Sequence, residues 1–126
     1  FDYGFVPQTL WDDDDPVDVI ILTTYPLLTG TLVRVRPVAL MKMTDGGEPD
    51  DKVIAVLIDD PRWEEVKDLD DVNKHTLKEM EHFYSTYKNL QNKTVVVSGF
   101  APKAEAIEVF HRGCELYCQK NPTVLR

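Results

Sequence analysis

Two dense segments carry carboxylates at spacings suited to metal chemistry. Asp12-Asp13-Asp14-Asp15-Pro16-Val17-Asp18 stands directly before a run of Val, Ile and Leu. A charge run is ordinarily solvated surface. Asp18, however, lies inside the apolar run, where an unpaired carboxylate is costly to hold. Pro16 biases Asp15 towards an extended backbone. Along an extended stretch Asp13 and Asp15 share a face, and Asp18 joins them only if the chain bends near Pro16. Converging carboxylates of this kind are hard oxygen ligands, suited to Mg²⁺, Mn²⁺ or Ca²⁺. The spacing does not make an EF-hand: Asp18 takes the place of its turn glycine and Thr24 that of its closing glutamate.

The second segment is Asp45-Gly46-Gly47-Glu48-Pro49-Asp50-Asp51-Lys52. Ordinary turn chemistry accounts for its Asp, Gly and Pro. It does not account for a second carboxylate cluster ending in a lysine at the mouth of a strand. Lys52 could meet a phosphate there as a point charge. A third segment, His82-Phe83-Tyr84-Ser85-Thr86-Tyr87-Lys88, reads by itself as a helix whose tyrosines are core and whose Lys88 complements the helix dipole.

The bulk numbers bound these readings. The 126 residues suit one domain, residues 1–126, and a composition of 43% hydrophobic and 29% charged residues is that of a soluble globular protein. No apolar run is long enough to span a bilayer, and the candidate at residues 17–22 is broken by Asp18. A net charge of −8 argues against nucleic acid and membrane partners. It also argues against a phosphate substrate, unless the carboxylates hold divalent cations, which then reverse the local sign. Cys114 and Cys118 stand four apart on an expected helix, a poor geometry for a disulfide. They read as half-buried core thiols in a reducing compartment. The chain opens with Phe1 and not Met, which suggests missing upstream residues, and any targeting segment with them.

These residues need elements to position them. Residues 17–24 form an apolar, β-branched run, punctuated by Pro26 and Gly30. Residues 31–37 alternate, with Val33 and Val35 on one face and Arg34 and Arg36 on the other, where the arginines read as solvated or interface charges. Residues 38–43 and 52–58 are further strands, joined by a loop at 45–51. Asp70 or Asp71 caps a helix reaching about Leu90, with Leu77, Met80, Phe83, Tyr84 and Tyr87 at spacings of three and four. After a short strand at 94–97, Pro102 starts a second helix carrying Ala104, Ile107, Phe110, Cys114 and Tyr117 on one stripe. Trp11, Trp63, His75 and His111 read as structural or surface residues, and His82 as packed within its helix. Strands followed by helices predict an α+β, mainly β fold: a small curved sheet or barrel with helices outside it.

In order and spacing these segments resemble the soluble, family I inorganic pyrophosphatases. Asp13-Asp14-Asp15-Pro16-Val17-Asp18-Val19 is similar to that family's signature, an Asp-x-Asp-Pro-x-Asp pattern. Tyr3-Gly4-Phe5-Val6-Pro7-Gln8-Thr9 precedes it. Arg36-Pro37-Val38, Met43-Thr44-Asp45, Asp50-Asp51-Lys52-Val53-Ile54-Ala55-Val56 and the His82 to Lys88 segment follow. The resemblance covers essentially the whole chain and is nearest the compact bacterial and plant branch. It implies a five-stranded, OB-like closed barrel with flanking helices, and hydrolysis of pyrophosphate to two orthophosphates.

The same resemblance implies roles. Asp13, Asp18 and Asp50 match ligands of the first activating metal, and Asp18 also reaches the second. Asp45 and Asp50 match ligands of metals that arrive with the substrate. Asp15 matches the group that takes a proton from the attacking water. Lys52, Tyr87 and Lys88 match phosphate-holding groups, and Tyr3 an active-site tyrosine. The implied cofactor is Mg²⁺, several ions per site, with Mn²⁺ a substitute. Such ions neutralise the substrate and acidify a water held between two of them, about 3.5–4 Å apart. No Ser or Cys stands in a nucleophile setting, so attack is expected in line, without a phosphoenzyme. The expected assembly is a homo-oligomer, hexamer or dimer. The expected location is the cytoplasm, with an organelle such as an acidic polyphosphate store as the alternative.

The departures are specific. The family usually begins roughly fifty residues before the equivalent of Phe1. That part supplies barrel strands, a lysine and an arginine for phosphate, and a glutamate for metal, so N-terminal strands are expected to be missing here. Asp14 stands where Gly or Asn is frequent, and Gly46 where Glu or Gln is common. From the residues alone two other readings stay open: another two-metal hydrolase, such as a nucleotide phosphatase or nuclease, and a non-catalytic cation-binding domain. Lys52 and Lys88 speak against the last, because a pure cation site gains nothing from ammonium groups.

Overall fold

The computed structural model of the protein describes residues 1–123. Its organising strand is β2 (Asp18–Leu22), a run of Asp-Val-Ile-Ile-Leu that is buried beyond its first residue. Side chains alternate across a strand, so β2 must be covered on both faces. Ile20 and Leu22 pack into one core cluster with Met41, Ile54 and Val56; Val19 and Ile21 pack into another with Leu40, Val53 and Ala55. β5 (Lys52–Leu57) repeats the pattern and runs parallel to β2, with Asp18 opposite Lys52. β1 (Asp2–Phe5) lies antiparallel on the other edge of β2.

The 11-residue β3 (Val35–Asp45) joins the halves of the sheet. It pairs antiparallel with β5 and with β6 (Val95–Pro102), and the two-residue β4 (Glu48–Pro49) folds back on its end. Register slips occur between Pro37 and Ala39, and between Lys42 and Met43 opposite Gly99, whose φ is 150°. Bulges of this kind bend a strand and sharpen its twist. Two helices cover the faces. α1 (Lys74–Thr86) sets Met80 and Tyr84 into the first cluster, and α2 (Lys103–Lys120) sets Ala106 and Val109 into the second.

The result is a mixed sheet with flanking helices. It has six strands in the order β1-β2-β5-β3-β4, with β6 also on β3. The expected closed ring of five is not formed by hydrogen bonds among the described residues: β1 at one end pairs with β2 and shares no ladder with β4 or β6. Residues 31–34 lie outside any strand, and 35–45 form one bulged strand instead of two.

The first helix starts later than Asp70 or Asp71. Asp71 is used upstream, where its carboxylate accepts from the amides of Lys67 (3.0 Å) and Asp68 (3.1 Å). Asn73 caps α1 in its place, accepting from His75 and Thr76. His82 is exposed and not packed. Arg36 is not a solvated charge: its guanidinium donates to the carbonyls of Val66 (2.6 Å) and Trp63 (2.7 Å) and pins the connection after β5. On α2 the buried face is Ala106, Val109 and Gly113, beside the more apolar stripe that includes Phe110, which is exposed. Neither cysteine is in a disulfide, and both are half-buried. No helix among the described residues is long and apolar enough to cross a membrane.

Candidate active site

Sheet register builds one wall of the site. Phe5 pairs with Asp18, Asp18 with Lys52, and Tyr3 with Ile20. Paired residues and their neighbours two along share a face, so Tyr3, Phe5, Asp18 and Lys52 present their side chains together. Lys52 is 2% exposed. Its ammonium donates to Asp18 Oδ2 at 2.8 Å and to Asp50 Oδ1 at 3.2 Å, and lies 5.4 Å from the ring of Tyr3 and 5.5 Å from that of Tyr84.

The acidic loop forms the second wall, and it is not extended. The Trp11 amide donates to the Asp15 carbonyl (2.8 Å), and the Asp14 amide to that of Trp11 (3.0 Å). The Asp15 amide donates to Asp13 Oδ1 at 3.1 Å. Asp14 sits in the left-handed region at φ 66°, a conformation that Gly, Asn and Asp tolerate best. This turn is the expected bend near Pro16, placed at Asp14 and Asp15 just before it, and it brings Asp13 and Asp15 round to Asp18. Asp14 itself is directed to Lys120 on α2, with which it forms an ion pair.

The third wall comes from a hairpin tip and a helix end. Gly46 and Gly47, at φ 60° and 85°, make the two-residue turn that sets Asp45 opposite Glu48. Both central residues of such a turn need positive φ, which is glycine's natural range. α1 ends at Thr86, and Tyr87 and Lys88 follow. Lys88 pairs with Asp45 and lies 5.4 Å from the Tyr87 ring.

These walls enclose a cavity of about 630 Å³ lined by Tyr3, Asp13, Asp15, Asp18, Asp45, Asp50, Lys52, Tyr87 and Lys88. All nine site residues expected from sequence therefore meet in one place. Phe5, Pro16 and Glu48 line it as well and were not singled out as site residues. Phe5 follows Tyr3 by the period of two, and Glu48 mirrors Asp45 across the glycine turn, so both signals were present in the chain.

Charge inside the cavity is frustrated. Burial pushes the Asp50 carboxyl up to about 7; Lys52 opposes the rise and Asp18 adds to it. Asp13 is raised by burial too, against hydrogen bonds from Asp15 and Asp50. Burial works against charge on Lys52, but Asp18 and Asp50 outweigh it and raise its pKa. Burial and a hydrogen bond to Asp18 push the Tyr3 hydroxyl up, so it stays protonated. Among the described residues no three carboxylate, imidazole or thiolate side chains converge to hold a metal ion as they stand, and the Lys52 ammonium stands between Asp18 and Asp50. The donor chemistry nevertheless fits a hard dication: oxygen only, with two half-buried carboxylates, Asp13 and Asp50, whose ionisation a cation would favour.

The family model for inorganic pyrophosphatase matches residues 1–118. The inorganic pyrophosphatase of Haloferax volcanii is 48% identical over 117 residues, covering 92% of this chain and 66% of that protein. Soluble inorganic pyrophosphatase 1 of Arabidopsis thaliana is 42% identical, covering 93% of this chain and 55% of that protein. This chain thus spans less than two thirds of either relative. Among solved structures, the enzyme from Helicobacter pylori superposes with a TM-score of 0.88 at 45% identity, covering 91% of this chain and 69% of that one. The Thermus thermophilus pyrophosphatase gives 0.88 at 41%, over 91% and 68%. Sequence, fold and cavity point the same way, and the chain belongs to the inorganic pyrophosphatase family.

Proposed function

We propose that the full-length protein hydrolyses pyrophosphate to two orthophosphates with Mg²⁺ as cofactor. The observation that carries this reading is the one cavity lined by five aspartates, Asp15 among them, together with two lysines and two tyrosines. In an acidic chain of net charge −8 an anion binds there more tightly with cations between it and the carboxylates. Asp13, Asp18, Asp45 and Asp50 would hold the ions. When bound, they neutralise the anion and lower the pKa of the attacking water.

The remaining steps belong to the chain's own side chains. Asp15 takes the proton of that water as general base. Lys52, Lys88 and the Tyr87 hydroxyl bind phosphate oxygens and stabilise charge that grows on the leaving group. The protonated Tyr3 hydroxyl holds Asp18 in place. In the same reading the fold is one domain of OB-like barrel type, its sheet curved by the bulged β3 and β6. A cytoplasmic homo-oligomer goes with it.

The test is phosphate release by the full-length protein from pyrophosphate, ATP and a nucleic acid, each with Mg²⁺ and with chelator. Pyrophosphate is expected to be the favoured substrate, with no release in chelator. Asp15→Asn is expected to lower turnover by about 10²-fold or more while the fold survives. Preference for ATP or nucleic acid, or parent-like turnover in Asp15→Asn, would overturn the substrate or the general-base assignment.

A further inference from the structure

No residue of α2 lines the cavity, yet the acidic loop is built on this helix. The Leu10 amide donates to the Gly113 carbonyl at 3.0 Å. A Cβ at Gly113 would lie 2.6 Å from Val17 Cγ2, and 3.4 Å from both the Leu10 carbonyl oxygen and Thr9 Cβ. The first distance is far inside van der Waals contact, so loop and helix can sit this close only with hydrogen at that position. Glycine is disfavoured in a helix interior relative to alanine. The contact supplies the local reason for it here.

Neither neighbour has room to yield. Val17 and Thr9 are each 1% exposed. Thr9 is also the knot of the loop: its hydroxyl donates to the Val6 carbonyl at 2.6 Å and accepts from the Val17 amide at 3.0 Å. Val17 lies between Pro16 and Asp18, so a push on it moves the start of β2. It also moves Asp15, whose backbone is tied to Trp11 and to the Asp13 carboxylate. Ion pairs fasten the loop on either side of the contact. Arg112 holds Asp12 at 2.6 Å and lies 5.0 Å from the Trp11 ring, and Lys120 holds Asp14.

We propose that Gly113 is a positioning residue: the seat on α2 that, through Val17 and Thr9, sets Asp13, Asp15 and Asp18 at the spacing a dication needs. The proposal rests on the metal-dependent reading above and extends it to a helix outside the cavity. Groups that orient metal ligands without touching the ion commonly govern affinity.

The experiment compares Gly113→Ala, Val17→Ala and the double variant with wild type in the full-length protein. It reads Mg²⁺ binding by calorimetry, kcat and KM for pyrophosphate, and the urea midpoint. Gly113→Ala is expected to weaken Mg²⁺ binding by about tenfold or more with its helical circular dichroism retained. The double variant is expected to regain the affinity of Val17→Ala alone, because Cγ2 is gone. Wild-type Mg²⁺ affinity in Gly113→Ala would overturn the proposal, as would a double variant no better than Gly113→Ala. If Gly113→Ala does not fold, Thr9→Val cuts the same support without adding bulk and is expected to weaken Mg²⁺ comparably; unchanged affinity there overturns it. Calorimetry tests the seat whatever the substrate, whereas a wild type that releases no phosphate from pyrophosphate counts against the enzymatic reading.

Discussion

Lys52 is the residue on which the site's electrostatics turn. Its side chain is 3% exposed, between Asp18 at 15% and Asp50 at 13%. Removing one partner of such a buried group leaves the other charges uncompensated, at a cost of about 3 kcal/mol. Lys52→Met is therefore expected to lower metal-free stability by that order. Added Mg²⁺ should restore part of it, since a dication can replace the lost ammonium. Urea melts with and without Mg²⁺ decide this; a loss that Mg²⁺ leaves untouched would detach the lysine from the ion site. Asp18 and Asp14 provide the matching contrast. Asp18→Asn should weaken activation by Mg²⁺ far more than Asp14→Asn, because Asp14 faces Lys120 and not the cavity. Residue types and order made most of this legible. The left-handed backbone at Asp14 was only half legible: the Gly or Asn frequent there in the family points to it, but aspartate serves as readily in an extended run and its neighbours are aspartates too.

At the scale of elements, Asp68 couples two that are far apart in sequence. Its carboxylate accepts from the Leu69 amide at 2.8 Å and from the Lys103 amide at 3.0 Å. It thus caps the short 3₁₀ turn Leu69–Asp71 and, across 35 residues, the start of α2. Pro102 at the head of α2 offers no side-chain cap of its own. The two amides hold the Asp68 carboxyl below its ordinary 3.8. A depressed carboxylate contributes stability that is present above the unfolded value and lost as pH falls through the folded one. Asp68→Ala is expected to lower the urea midpoint at pH 7, and the gap to wild type should narrow once pH drops below about 4. A gap independent of pH would mean that packing, not the charged cap, is lost. No sequence pattern announces a cap that acts across 35 residues. The buried face of α2 was hidden for a related reason. Hydrophobicity favours the Ile107, Phe110 and Tyr117 stripe, but the sheet and loop take Ala106, Val109 and Gly113, whose small side chains allow close approach. By contrast β2 and β5 were legible, because runs buried on both faces leave no polar alternation to misread.

For the whole molecule the governing fact is an excess of charge held in internal pairs. The chain has 22 acidic and 14 basic residues, and the cavity's lysines are each engaged with an aspartate: Lys52 with Asp18 and Asp50, Lys88 with Asp45. A dication arriving alone must displace an ammonium from its carboxylate. A phosphate arriving alone must take a lysine and leave that carboxylate without its cation. When both arrive, cation meets carboxylate and lysine meets phosphate, and no charge is stranded. Binding should therefore be synergistic. A ligand that binds only the folded state stabilises it by about 2.7 kcal/mol at about 100 times its Kd, so the synergy can be read from thermal melts. Mg²⁺ alone and phosphate alone are each expected to raise Tm slightly, and the two together by more than the sum. Lys88→Gln should reduce that excess and bring Mg²⁺ alone closer to its full effect, because Asp45 is then free for the ion. Strictly additive shifts in the wild type would show that the resting ion pairs do not compete with the ligands, and the cavity's paired charges would then be structural and not exchangeable.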